Sequence, residues 1–224
     1  MATTTFTKSE AIKIGWEAMK KNFWFFAGLL IITLLIEIIP TAIADSVKEK
    51  MLALYILLTI AAWVLQLIVE MGVVKITLDV LDKGTGNIGD LFSRVQLVGK
   101  FIIGTLLYGL IVIGGLILLI VPGIIWAIKY QFYSYLIIDK NLGPVEALKK
   151  SGEITLGNKG NLLLLGFLFM LINLAGALFF LVGLLATIPT TMVATAYVYR
   201  KLMNEIDSST LKEPTPLAPA KQAM

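Results

Sequence analysis

Three ionisable side chains stand inside long apolar stretches of the sequence, namely Glu37, Glu70 and Lys129. A charged side chain at the centre of a membrane helix costs about 2.5–3.5 kcal/mol, so such residues often form pairs or line a path for a substrate or for protons. With a rise of about 1.5 Å per helical residue, Lys129 is predicted about 14 Å from the cytoplasmic edge, Glu37 about 21 Å and Glu70 about 6 Å. These depths favour a structural ion pair between Lys129 and one of the two carboxylates. The alternatives are a substrate or proton site, a lysine that extends toward the headgroups, and simple interfacial exposure of Glu70.

An aromatic run follows Lys129 in the chain and adds Tyr130, Tyr133 and Tyr135 as candidate pocket residues. Aromatic side chains contribute large apolar surfaces to packing between helices. The run is therefore predicted to pack, and a ligand pocket formed by these tyrosines is the second interpretation.

The amino-acid composition excludes several kinds of reactive site. The chain contains no cysteine and no histidine, which removes disulfides, thiolate chemistry, zinc sites of the Cys/His type and histidine acid–base catalysis. No nucleophile–base pair or phosphate loop stands in a suitable sequence context, so no catalytic residue, metal site or cofactor is predicted. The formal net charge of +4 does not predict nucleic-acid binding, because the basic residues flank apolar segments.

The apolar residues form blocks of the length that a membrane helix needs. Hydrophobic residues make up 58% of the chain and charged residues 15%, compared with about 45–50% and about 25% in soluble domains. A helix needs about 20 apolar residues to cross the roughly 30 Å hydrocarbon core. Six spans are predicted, at Phe23–Ile43, Met51–Val74, Phe101–Val121, Ile124–Ile138, Leu162–Phe180 and Gly183–Tyr199. Pro122-Gly123 is predicted to form the turn between the third and fourth spans.

Basic residues concentrate in alternate loops, which predicts the orientation of the spans. Four basic residues precede the first span, and four lie in each of the loops after the second and fourth spans. The loops on the opposite side contain only Lys48 and Lys50. Because basic loops stay in the cytoplasm, both termini are predicted to be cytoplasmic. The charged N-terminal stretch does not have the pattern of a cleavable signal peptide.

A short amphipathic stretch precedes each pair of spans, which predicts three similar units at about residues 8–74, 88–139 and 144–200. Glu10-Ala11-Ile12-Lys13 in the first unit corresponds to Glu146-Ala147-Leu148-Lys149 in the third. Ser9, Asp90 and Pro144 are predicted to begin the three amphipathic helices. In the third of these helices, Val145, Leu148 and Gly152 are predicted to share one face.

The predicted fold class is therefore an all-α polytopic membrane protein with six transmembrane helices. Residues 1–207 form one integral membrane domain of three hairpins, and each hairpin is preceded by an amphipathic helix at the cytoplasmic interface. The tail at residues 208–224 is rich in Pro, Ser, Ala and Lys, and it is predicted to be a disordered cytoplasmic segment.

About forty residues, Val121–Gly160, carry a more specific pattern. The pattern combines Pro122-Gly123, Lys129, the aromatic run, Asp139 and "GPVEALKKSGEITLGNKG", and "GNIGDLF" stands at the entry to the middle unit. This pattern resembles a family of multi-pass prokaryotic membrane proteins related to the membrane domain fused to some glycerophosphodiester phosphodiesterases. The resemblance implies six helices in a bacterial or archaeal plasma membrane. It implies no phosphodiesterase activity, because no catalytic domain of that kind accompanies the pattern.

These features favour a non-enzymatic integral membrane protein that serves as a membrane or envelope scaffold, or that binds lipid or a partner protein. The alternative is a small permease or channel with a site around Lys129 and Glu37. The predicted partners are anionic phospholipids of the cytoplasmic leaflet, which would meet the lysines of the amphipathic helices. A membrane-protein partner or a second copy of the chain is a further expectation, and no nucleic acid is expected to bind.

Overall fold

Helices joined by short connections make up residues 6–49, 51–179 and 181–210, which are the residues that the computed structural model describes. The α-helices are α1 (Lys8–Lys21), α2 (Phe23–Val47), α3 (Leu52–Lys83), α4 (Val98–Leu118), α5 (Ile120–Tyr130), α6 (Tyr133–Lys140), α7 (Pro144–Ile154), α8 (Lys159–Leu178) and α9 (Leu184–Thr210). Two short 3-10 helices, Ile88–Phe92 and Val95–Leu97, connect α3 to α4. No strand occurs in these three ranges, which confirms the predicted all-α class for the described part of the chain.

Four segments are long and apolar enough to cross a membrane, namely α2, α3, Ile88–Leu118 and α8. Six spans were expected. α5 contains 11 residues, and at about 1.5 Å per residue it is only about 16 Å long, roughly half of the hydrocarbon thickness. α9 has 27 residues, but its threonines, its tyrosines and the charged residues after Tyr199 lower its hydropathy.

The predicted fourth span, Ile124–Ile138, is divided between α5 and α6. Ser151 of α7 stabilises the break, because its hydroxyl donates to the Lys129 carbonyl at 3.0 Å and accepts from the Phe132 amide at 3.1 Å. Thr155 donates to the same carbonyl at 3.0 Å. These bonds satisfy backbone groups that lose their helical partners at the break. α6 consequently packs along α7 and does not continue the line of α5.

α4 and α5 run back along each other, and the turn between them lies at Leu119, before the predicted Pro122-Gly123. Leu119 is extended, with φ −165° and ψ 149°. Proline is tolerated in the first turn of α5, because the amides of a first turn have no helical acceptor. Gly123 serves the packing of the two helices, since a Cβ built on Gly115 would lie only 2.8 Å from the Gly123 Cα.

The main buried core lies at one end of the molecule, where α3, α6, α7 and α9 meet. Phe132 just before α6, Leu136 of α6 and Tyr199 of α9 are among its largest fully buried side chains. Arg200 closes this end by pairing with Asp82 of α3 and Asp139 of α6. We refer to the end defined by Asp82, Asp139 and Arg200 as the polar end.

Away from the polar end, the long helices expose their apolar side chains. Ile117 of α4 is 80% exposed and Leu178 of α8 is 77% exposed, and exposed leucines and isoleucines recur along α2 and the first half of α3. A contiguous apolar surface of this extent is unusual for a soluble monomer but normal for helices in hydrocarbon. The exposed surface and the four spanning segments together indicate a membrane protein.

Two of the three predicted amphipathic helices form α-helices, and the middle one does not. α1 packs across α9 and buries Ala11, Gly15 and Met19, and Thr7 is its N-cap where Ser9 was predicted. The middle stretch forms the two 3-10 helices, and Asn87 precedes them where Asp90 was predicted to cap a longer helix. α7 begins at Pro144, as predicted.

The predicted tail begins inside the last helix, because α9 continues through residues 208–210. The rest of that tail, residues 211–224, lies outside the described residues, as do Lys50 and Phe180 from the orientation and span predictions.

Candidate functional site

Lys129 lies beside the amphipathic helix α7, near Leu107 and Ile111 in the middle of α4. Its side chain crosses α7 at Gly152, where a Cβ would lie 2.9 Å from the Lys129 Cε. The Lys129 Nζ stands over the Tyr130 ring, 4.8 Å from its centroid. The helix that contains Lys129 does not continue as the predicted span, because α5 ends one residue after Lys129.

A cavity of about 630 Å³ opens beside Lys129. Lys129, Lys149 and Lys159 line it, and the aliphatic side chains of α4 and α7 form most of the remaining wall. Glu153 also lines the cavity, and its carboxylate pairs with Lys150 at 3.1 Å. Among the described residues, no carboxylate lies within 4.0 Å of any of the three lysines. We refer to this cavity as the lysine cavity.

Glu37 and Glu70 line a separate cavity of about 520 Å³ at the facing sides of α2 and α3. Thr33 and Gln66 also contribute polar atoms to its wall, and we refer to it as the carboxylate cavity. The structure thus brings the two predicted carboxylates together but leaves Lys129 elsewhere. α5 packs chiefly against α4, α7 and α8, so its lysine does not reach α2 or the carboxylates of α3.

Two of the three candidate tyrosines belong to packed contacts, and one lines a cavity. Tyr133 stacks on Tyr108 with ring centroids 5.0 Å apart, and its hydroxyl lies 3.0 Å from the Thr105 hydroxyl. Tyr135 packs against Tyr199, with ring centroids 5.2 Å apart. Tyr130 lines the lysine cavity.

The polar end contains a charge network that was not predicted from the sequence. Arg200 donates to Asp139 at 2.7 Å and to Asp82 at 2.6 Å, and the Tyr199 hydroxyl donates to Asp139 at 2.9 Å. Burial of Asp139 acts to raise its pKa, but the hydrogen bonds from Arg200 and Tyr199 outweigh burial and hold the pKa below its ordinary value. The network ties α3, α6 and α9 together.

A second network joins α1 to α9 near the same end. The Tyr197 hydroxyl donates to the Glu10 carboxylate, and Lys201 lies 3.5 Å from that carboxylate. The hydrogen bond from Tyr197 holds the pKa of Glu10 below its ordinary value. The residues of both networks belong to segments that the distribution of basic residues predicts on the same side of the membrane. This shared side is the feature of the sequence from which the two networks could have been expected.

Lys149 and Lys159 were recognised in the sequence only as cytoplasmic loop charges. Their proximity to Lys129 depends on contacts across 20 to 30 residues of chain, made where Ser151 and Thr155 bind the end of α5. The helical stripe of Val145, Leu148 and Gly152 was visible in the sequence, and it faces the cavity.

The chain is similar to an uncharacterised protein of Mycobacterium bovis, with 32% identity over 143 residues, and to one of Mycobacterium tuberculosis, with 31% identity over 143 residues. Each match covers 64% of this chain and 44% of the relative, so the chain spans less than half the length of these relatives. No family model and no solved structure matches the chain. The relatives agree with the expected prokaryotic family, and neither name shows a link to glycerophosphodiester phosphodiesterases.

Proposed function

We propose that this chain is a non-enzymatic scaffold of a bacterial plasma membrane, with both termini in the cytoplasm. In this proposal α2–α3, α4–α5 and α8–α9 are three pairs of membrane segments that enter from the cytoplasmic face and return to it. The polar end then stands at the cytoplasmic interface, where α1 and α7 connect the three pairs. The layout follows the resemblance of Val121–Gly160 to the six-helix family and takes no catalytic activity from it.

The observation that carries this proposal is the separation of apolar and basic surfaces. Exposed apolar side chains cover α2, α4 and α8, whereas the lysine cavity and the Arg200 network lie where the amphipathic helices pack. Basic residues at one membrane surface attract the anionic cytoplasmic leaflet. A basic end that is tied together by ion pairs and joined to apolar helices fits a protein that organises lipids or a membrane partner.

Cysteine labelling can test the proposed orientation directly, because the natural sequence contains no cysteine. Ser46→Cys at the end of α2, Ser93→Cys after Ile88–Phe92 and Ser208→Cys near the end of α9 each introduce one exposed thiol. A membrane-impermeant maleimide applied to intact spheroplasts should label only the Ser46→Cys protein. Permeabilised cells should label all three, and labelling of Ser93→Cys or Ser208→Cys from outside would contradict the orientation.

The carboxylate cavity supports a permease or channel as the second candidate function. Its two carboxylates, Glu37 and Glu70, stand within membrane helices with Gln66 beside them, and intramembrane carboxylates often serve cation or proton paths. Proteoliposomes loaded with a pH-sensitive dye should then show a proton or cation flux that Glu70→Gln abolishes. Equal fluxes in empty liposomes, wild-type proteoliposomes and Glu70→Gln proteoliposomes would favour the scaffold.

A further inference from the structure

An apolar groove of about 330 Å³ continues from the lysine cavity along α5 and α8. Its wall consists of Val121, Ile124, Ile125, Ile128, Gly160 and Leu163, together with Lys159. Lys159 lines both the groove and the lysine cavity, so the two spaces adjoin at the start of α8. We refer to this space as the α5–α8 groove.

The lysine cavity is basic and the α5–α8 groove is apolar, so together they are complementary to an amphiphile with an anionic headgroup. Three lysines and a single carboxylate line the lysine cavity, and that carboxylate, Glu153, already pairs with Lys150. Apart from Lys159, the groove has an uncharged wall of aliphatic side chains and glycine. The wall follows α5 from Ile128 back to Val121 for about 10 Å, away from the charged region.

The side chain of Lys129 already contacts two neighbouring residues, Gly152 and Tyr130, without a ligand. Its stem lies against Gly152 and its ammonium stands over the Tyr130 ring. A group that is already ordered loses less conformational freedom when a ligand binds. The N-terminus of α8 adds the partial positive charge of a helix dipole beside Lys159.

We propose that the lysine cavity binds the phosphate-bearing headgroup of an anionic phospholipid while one acyl chain of the same lipid lies in the α5–α8 groove. The inference rests on the proposed function, because it requires α5 and α8 to be in the membrane with the lysines at the cytoplasmic leaflet. Ammonium groups attract anionic headgroups, and an uncharged aliphatic wall favours a hydrocarbon chain. Leu156, 72% exposed at the cavity, and Leu163, 49% exposed at the groove, place the opening on the apolar surface.

Lipid retention by the 224-residue chain tests the headgroup part of the inference. The protein is purified in a mild detergent, stripped of lipid, and titrated with phosphatidylglycerol or phosphatidylcholine while native mass spectrometry counts bound molecules. Phosphatidylglycerol should bind at least about tenfold more tightly than phosphatidylcholine, because only the former carries net negative charge. Equal affinities would overturn the assignment, and so would displacement of phosphatidylglycerol by inorganic phosphate at equal concentration, since phosphate cannot use the groove.

Lysine variants test whether the affinity for phosphatidylglycerol depends on the lysine cavity. Lys149→Gln combined with Lys159→Gln should lower phosphatidylglycerol affinity about tenfold or more. Lys20→Gln combined with Lys21→Gln is the matched control, because both lysines are exposed on α1 and neither lines the cavity. An equal loss in the two double variants would show nonspecific charge attraction and overturn the site.

Gly160→Leu tests the groove without removing a charge. A Cβ on Gly160 meets no atom within 4 Å, so a leucine can enter the groove without displacing the protein. Gly166→Leu on the same helix is the control, since that position is also open and lies outside the groove. Gly160→Leu should reduce phosphatidylglycerol retention several-fold and leave the melting temperature unchanged or higher, because leucine favours a helix over glycine. Unchanged retention would overturn the acyl-chain part.

Labelling of Ser46→Cys and Ser93→Cys in intact spheroplasts, before the protein is purified for the lipid titration, separates this inference from the proposed function. Correct orientation with no preference for phosphatidylglycerol would overturn only the lipid site. Labelling of Ser93→Cys from outside would contradict the proposed function and would also remove the site from the cytoplasmic leaflet.

Discussion

Arg200 joins three helices at the polar end. Its guanidinium reaches Asp82 of α3 and Asp139 of α6 from α9, and Asp139 is also bonded by Tyr199. Asp139 and Arg200 are both largely shielded, with 16% and 24% of their side chains exposed, so their pairing is screened less than a surface pair would be. The network should therefore contribute to the stability of the polar end.

Asp139→Asn is expected to lower the melting temperature at neutral pH, because hydrogen bonds to a charged group contribute about 1.5–3 kcal/mol. The pKa of Asp139 in the folded protein lies below its ordinary value. Its charge therefore stabilises the fold fully above the unfolded pKa of about 3.9, and this contribution is lost as the pH falls through the lower folded pKa. The difference in melting temperature between wild type and variant should be largest near neutral pH and shrink below about pH 4.

Tryptophan fluorescence during thermal unfolding in detergent measures this difference across the acid range. Asp45→Asn is the control, since Asp45 is exposed near the far end of α2 and forms no ion pair among the described residues. A difference that stays constant with pH would show that the Asp139 charge does not contribute.

At the scale of the elements, two contacts decide how the short helices attach to the long ones. α1 meets α9 at Gly15, where the backbones approach so closely that a Cβ would lie 2.2 Å from the Thr190 carbonyl oxygen. α7 meets α5 and α6 at Ser151, which bonds both sides of the break. The first contact depends on the absence of a side chain, and the second on one hydroxyl.

Gly15→Ala should destabilise the protein although alanine is the better helix former. The added methyl meets backbone atoms of Thr190 and Ala194 that cannot rotate away, and overpacking of this kind costs about 1–3 kcal/mol. Gly28→Ala on α2 is the matched control, because nothing lies within 4 Å of its built Cβ. Folded yield by size-exclusion chromatography and the melting temperature should both fall for Gly15→Ala alone. Equal behaviour of the two variants would argue against close packing of α1 on α9.

Ser151→Ala should destabilise the break between α5 and α6. The Lys129 carbonyl keeps its bond from Thr155, but the buried Phe132 amide loses its only observed acceptor in the described residues. An unsatisfied buried donor costs about 1–3 kcal/mol. Ser93→Ala removes an exposed hydroxyl that, within the described ranges, bonds only the Asp90 carbonyl, so that control should melt within a degree or two of wild type. Identical melting of both variants would mean that Ser151 does not hold the break.

The molecule has two regions, a polar end that suits water and an apolar surface that suits hydrocarbon. The buried core lies with the polar end, and the exposed apolar surface occupies the rest of the long helices. The short helices α1, α6 and α7 belong to the polar end, which explains why the exposed apolar positions fall mainly on the long ones. The same added charge should therefore destabilise the protein in the apolar region and be tolerated in the polar one.

Leu34→Lys and Gln96→Lys place the same charge at two exposed positions. Leu34 is 53% exposed in the middle of α2, and a lysine at the centre of a membrane helix costs about 2.5–3.5 kcal/mol. Gln96 is exposed between α3 and α4, where water can solvate the charge. The amount of protein in the membrane fraction should fall for Leu34→Lys and stay near wild type for Gln96→Lys. Equal recovery of both variants would contradict a hydrocarbon environment for α2.

The helical class and the apolar segments follow from the sequence by itself, because both depend on local composition and on runs of about 20 apolar residues. The start of α7 at Pro144 is local in the same sense, since proline fits the first turn of a helix. Sequence reasoning also recognised the helical stripe of Leu148 and Gly152, although not the residues that would meet it.

Tertiary contacts decided the rest. The fourth apolar run is interrupted because Ser151 and Thr155, about twenty residues later, bond the backbone where it breaks. The packing of α5 against α4, α7 and α8 places Lys129 beside Lys149 and Lys159 and away from Glu37 and Glu70. Hydropathy and helical period describe one segment at a time, whereas the partners of a charge depend on which helices pack together. The sequence therefore determined that Lys129 is an unusual residue, and only the tertiary structure determined which residues surround it.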